Sequence, residues 1–167
     1  GSVGADGVSG EIVVLGNNSE VRSGRMQLAS GATINDVVRL FDGAKIFVTS
    51  DLTSSKVVVV ALDKTDRTSS NPLDSYPTGT EGVVVATFDN DIDCDASKFA
   101  VAEEASEKYR TKADAQDVIV TKAYFSLIID TDGGSLISDL ENVSAYGTKY
   151  VADVLYGTNL KDLLKNT

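Results

Sequence analysis

Runs of β-branched residues closed off by turn formers set the first limit on what this chain can fold into. "AKIFVTS" (44–50), "SKVVVVALDK" (55–64) and "GVVVATFD" (82–89) are rich in Val, Ile and Thr and end on Ser, Lys or Asp. Side chains branched at Cβ are stiff at χ1 and pack well on a pleated surface, so each run predicts a strand. The consecutive valines 83–85 predict a strand buried on both faces. A longer strand is predicted over Val118–Ile129, and the apolar patches Ile12–Leu15 and Val21–Leu28, joined by "GNNS", predict a hairpin.

Helical signals fall between these runs. In "ATINDVVRLFDG" (32–43), Thr33 stands three residues before Asp36, Ile34, Val37, Val38 and Phe41 share a helical face, and Gly43 follows. A second helix is predicted from about Asp95 to Ala115, with Phe99, Ala102, Ala105, Tyr109 and Ala113 as its apolar stripe. Near the end, "YGTKYVADVL" (146–155) is followed at once by "YGTNLKDLLK" (156–165), a ten-residue repeat in which Gly ends one helix and Thr caps the next. Gly1, Gly4, Gly7 and Gly10 predict a flexible arm. The polar stretch Thr65–Gly82, which holds both prolines, predicts a surface loop that carries contacts.

Together these readings predict an α+β fold: a single domain with a mixed sheet of about five to six strands, a βαβ unit over 83–129 and a helical C-terminal tail. The expected organisation is an arm over 1–10, an α+β core over 11–144 and a tail over 145–167. A chain of 167 residues is long enough to bury a core without cross-links.

Charge and residue usage exclude several chemistries. The chain carries 25 acidic against 15 basic residues, a net charge of −10, and its basic residues are scattered. Duplex affinity comes largely from Lys and Arg neutralising phosphates, so direct nucleic-acid binding is not expected. No apolar run reaches the roughly 18–20 residues that cross a bilayer, so no membrane insertion is expected. Histidine is absent, which removes the commonest general base and transition-metal ligand. The single cysteine, Cys94, can form no internal disulfide and has no histidine to activate it, so it reads as a passive thiol.

Two acidic loops are the places where chemistry is to be sought. Asp89, Asp91, Asp93 and Asp95 alternate in "FDNDIDCDAS", just after the strand at 83–88, and Asp130 and Asp132 stand in "LIIDTDGGSL", just after the strand ending at Ile129. A strand–helix–strand crossover would make the two strands parallel and bring both loops to one sheet edge. There Asp89, Asp91, Asp130 and Asp132 would hold Ca²⁺ or Mg²⁺, hard cations that prefer oxygen ligands; no other cofactor is expected. The apolar run followed by Asp130-Thr131-Asp132-Gly133 resembles the nucleophile motif of haloacid dehalogenase-type phosphatases over about ten residues. The resemblance implies Asp130 as nucleophile and Asp132 as acid/base. A helix–loop–helix calcium loop does not fit, because its sixth and twelfth positions counted from Asp89 are Cys94 and Ala100. The ordinary alternative is that Asp and Gly simply let a strand leave through a turn, with Asp93 or Asp95 capping the following helix.

The function expected from these features is that of a non-enzymatic structural or assembly module, such as a virion subunit, a surface-appendage subunit or a decoration protein. It would self-associate or bind a protein partner through the N-terminal arm and the C-terminal tail, in an extracellular or virion setting. The alternatives are a Mg²⁺-dependent phosphoryl-transfer enzyme using the acidic strand-end loops, and an acidic inhibitor that mimics the ligand of a basic protein.

Overall fold

The computed structural model describes residues 12–15, 26–66, 69–134 and 143–163, with 12–15 and Leu163 described through their backbone. The chain divides into two compact units, Gly1–Lys122 and Ala123–Thr167. Strand is the dominant element, and the mixed five-stranded sheet expected from the sequence is present within the first unit.

In the first unit, successive strands alternate between two sheets. β1 (Ile12–Leu15), β3 (Val38–Phe41), β5 (Val58–Asp63) and β7 (Phe99–Val101) form a four-stranded parallel sheet in that order. β2 (Met26–Leu28), β4 (Ile46–Val48) and β6 (Val83–Phe88) run parallel in the other sheet. That sheet is completed by β9 (Asp117–Lys122), antiparallel to β6, and by β8 (Tyr109–Asp114), antiparallel to β9. The chain therefore lays one strand on each sheet per turn, a solenoid-like path in which each coil stacks on the one before.

Register explains why valine recurs. Val38 pairs with Val60 and Val60 with Val101, while Leu28 pairs with Val48 and Val48 with Phe88. Since partners directly opposite share a face, each pairing makes an inward ladder of like side chains. The inward residues of both sheets, Val38, Leu40, Val58, Val60, Phe99, Ile46, Val48, Phe88, Val118 and Val120 among them, form one hydrophobic cluster. Phe88 and Phe99 meet edge to face across it at 6.2 Å.

Several expected elements are corrected by this winding. The predicted helix at 32–43 is instead β3 followed by a turn at Asp42 (φ 52°) and Gly43 (φ 78°). Its helical periodicity coexists with strand alternation in which Val38 and Leu40 are buried, and pairing on both sides with β1 and β5 decides in favour of the strand. The long helix at 95–115 resolves into a 3-10 turn at Ala96–Lys98, β7, a second 3-10 turn at Glu103–Ala105, and β8. Asp95 does cap, its side chain accepting from Ser97 N–H, but it caps a single turn. As strands, Phe99 and Val101 extend the ladders begun by Val58 and Val60, a burial that a modest alanine stripe does not match. No βαβ unit spans 83–129: β6 and β9 are antiparallel neighbours joined by irregular chain and two strands. Among the described residues of the expected hairpin over 12–28, β1 and β2 do not pair with each other but with strands of different sheets.

The second unit contains β10 (Tyr124–Asp130), β11 (Ser144–Tyr146) and β12 (Lys149–Leu155) in the order β10-β12-β11, all antiparallel, followed by one helical turn, α1 (Leu160–Leu163). The strand predicted over Val118–Ile129 is thus two strands in two sheets, broken at the buried Ala123. Among the described residues of the expected helical tail, strand outweighs helix, which is confined to α1. The two copies of the repeat adopt different structures: the first is the β11–β12 turn and β12, the second is a turn leading into α1. What they share is the left-handed glycine, Gly147 at φ 63° and Gly157 at φ 82°, each reversing or ending a strand. The glycine arm at 1–10 lies outside the described residues. Among those described, no helix is long and apolar enough to cross a membrane.

Candidate functional site

The two acidic loops belong to different units. Asp89 and Asp91 follow β6 in the first, whereas Asp130 ends β10 and Asp132 follows it in the second. No crossover helix links them, and β6 and β10 lie in different sheets, so the shared strand edge expected from the sequence is not formed. Among the described residues, no three Asp, Glu or Cys side chains are grouped so that they could hold a metal ion.

Each loop is accounted for by local hydrogen bonding. The Asp130 carboxylate accepts the Asp132 N–H at 3.0 Å, Asp132 and Gly133 take left-handed φ values of 48° and 90°, and Gly134 N–H closes on the Thr131 carbonyl at 2.9 Å. This is an Asx turn continued by a tight reversal. In the first unit, Asp91, Asp93, Asp95 and Asp51 line a surface concavity of 340 Å³ with Leu52, Thr53, Phe88 and Ile92. Two of its carboxylates are engaged by backbone: Asp51 accepts from Thr53 N–H at 2.6 Å and Asp95 from Ser97 N–H at 3.0 Å. The Lys98 ammonium donates to the carbonyls of Thr53 at 3.1 Å and Ser55 at 3.0 Å, tying the 51–55 loop to the turn after Asp95. Gln116 fastens the remainder, its amide donating to the carbonyls of Asp89 and Ile92.

Cys94 sits beside this loop, with its thiol 3.4 Å from the Asp117 carbonyl. Burial raises its pKa first, and the negative charges of Asp117 and Asp95 raise it further, so the neutral thiol persists where a nucleophile would need the thiolate.

The surface feature that sequence reasoning missed is apolar and lies in the second unit. Of the six large hydrophobic residues that stand exposed among the described residues, only Val57 belongs to the first unit; Tyr124, Phe125, Ile128, Tyr146 and Leu160 belong to the second. Tyr124, Ile128 and Tyr146 are each more than 60% exposed, at 63%, 64% and 67%. Register places them on one face with Ser126, Asp130, Ser144, Lys149, Val151, Asp153 and Leu155, while Phe125, Leu127, Ile129, Ala145, Tyr150, Ala152 and Val154 share the other. The sequence signal was the uncharged interval between Lys122 and Asp130, which read equally well as the interior of a long buried strand.

Comparison with known proteins adds no name to this geometry: no family model matches the chain, and no match was found among curated proteins or solved structures.

Proposed function

We propose that this protein is a non-enzymatic assembly or binding module, of the kind that serves as a subunit or decoration of a virion or of an extracellular appendage, and that its second unit is the contact surface. The observation that carries this reading is the concentration of exposed Tyr124, Ile128 and Tyr146 on one face of a small three-stranded sheet. Contiguous exposed apolar side chains, rimmed by polar ones, mark interaction sites on soluble proteins. Tyr and Phe are also the residue types enriched at the centres of interfaces.

The stacked sheets of the first unit suit a rigid platform, since each coil is held by ladders on its neighbours. Light scattering of the full chain at rising concentration tests the reading. Assembly is expected, and the double variant Ile128→Asp, Tyr146→Asp should lose it while keeping its melting temperature. A chain that stays monomeric and hydrolyses simple phosphate esters in the presence of Mg²⁺ would overturn it in favour of the enzyme alternative.

A further inference from the structure

We propose that β10 is a self-pairing edge, joining antiparallel to β10 of a second copy of this chain so that two three-stranded sheets become one of six strands. The proposal rests on the contact-surface reading above and names its partner.

The sheet edges of this protein are unequal. β1, β2, β7 and β11 are three or four residues long, and β8, with six, carries Arg110, Lys112 and Asp114 outward. Short or charged strands are how proteins keep edges from pairing with other chains. β10 has seven residues, Tyr-Phe-Ser-Leu-Ile-Ile-Asp, and its one charge is at the very end. Among the described residues its single strand neighbour is β12.

The hydrogen bonds say which groups face outward. Tyr156 N–H donates to the Ala123 carbonyl at 2.8 Å at one end of the β10–β12 ladder, and Thr131 N–H donates to the Thr148 carbonyl at 3.1 Å at the other. In an antiparallel pair, bonding alternates residue by residue. With Ala123 and Thr131 bonded toward β12, so are Phe125, Leu127 and Ile129, and the N–H and C=O groups of Tyr124, Ser126, Ile128 and Asp130 point to the edge away from β12.

That parity is self-complementary. A two-fold axis at Leu127 sets Tyr124 opposite Asp130 of the second copy and Ser126 opposite Ile128, all of them residues with outward-pointing groups, so every facing pair can exchange both ladder bonds. Phe125 then lies opposite Ile129, and Leu127 opposite itself, in the close non-bonded positions where side chains touch most. The apolar face bearing Phe125, Leu127, Ile129, Ala152 and Val154 becomes continuous across both copies.

Charge does not bar this occupant along the strand itself. Each copy carries −10, so like-charged surfaces repel, yet β10 meets its copy along uncharged residues and sets each Asp130 against a tyrosine rather than a second carboxylate.

The test uses the full chain with Cys94→Ser, a change that keeps a hydroxyl near the Asp117 carbonyl. Leu127→Cys in this background should give a disulfide-linked dimer on mild oxidation, because non-bonded antiparallel partners have Cα atoms about 4.5 Å apart, within disulfide reach. Ser126→Pro removes an outward N–H and no β12 bond, so it should yield a monomer with an unchanged circular dichroism spectrum. A parent chain that is monomeric at every concentration overturns the pairing. So does a dimer that persists in Ser126→Pro and fails to cross-link in Leu127→Cys, although that result leaves the contact-surface reading standing. Turnover of a phosphate ester would instead remove the reading beneath it.

Discussion

Tyr76 packs against Tyr109 with ring centroids 4.9 Å apart and planes tilted by 39°, and each hydroxyl bonds the backbone of a different segment. The Tyr76 hydroxyl accepts the Leu62 N–H at 3.2 Å, and the Tyr109 hydroxyl donates to the Pro77 carbonyl at 2.8 Å. The long connection between β5 and β6 therefore does not lie wholly on the surface: Tyr76 and Pro77 are buried and hold it against the end of the first unit's core. Tyr76→Phe should leave the Leu62 N–H without its acceptor, at a cost of about 1–3 kcal/mol. Urea unfolding measures the loss, and hydrogen exchange should quicken across residues 69–82.

The same tyrosine gives a pH dependence. Burial raises the Tyr76 pKa above its ordinary value, with the Leu62 hydrogen bond opposing, so the folded state holds this proton more tightly than the unfolded state. The stability it contributes is complete below the unfolded pKa near 10 and is lost as pH rises from there toward the folded value. Between pH 7 and 9 the contribution should be flat. Above pH 10 stability should fall, and the fall should be shallower in Tyr76→Phe.

Val60 lies at the centre of the ladder that joins three coils, between Val38 and Val101, and is fully buried. Val60→Ala should cost about 2–3 kcal/mol through lost burial and the cavity left behind. Val57, just before β5 and exposed, should tolerate the same change within about 0.5 kcal/mol. Equal losses at the two positions in thermal unfolding would contradict the stacked-ladder core.

Asp130→Asn should be nearly silent, because an amide oxygen can accept the Asp132 N–H as the carboxylate does. Gly133→Ala should cost about 1 kcal/mol, since φ is 90° there and L-residues avoid it. Added Ca²⁺ or Mg²⁺ should leave the melting temperature unchanged. A rise that follows free metal concentration and vanishes in Asp130→Asn would establish a cation site at this turn.

Cys94 should react slowly with an alkylating reagent at neutral pH in the native protein and readily after unfolding. Its raised pKa should place the midpoint of the native rate profile above that of a free thiol.

Local chemistry in the sequence was enough to locate the strands at 46–48, 58–63 and 83–88, the turn after Ile129 and the cap at Asp95. β-branching, Asx turns and left-handed glycines act within a few residues, and their signals survive without knowledge of distant neighbours. Partner choice is different. Val38–Phe41 satisfies both a helical and a strand period, and only the presence of β1 on one side and β5 on the other selects the strand. The same holds for Phe99–Val101, and for the repeat, where "YGT" leads into a strand once and toward a helical turn once. The candidate surface was hidden for the same reason: "YFSLIID" reads as core until the fold gives it β12 as its one pairing neighbour among the described residues. Burial and exposure are properties of what packs against a segment, and that information is not carried by the segment itself.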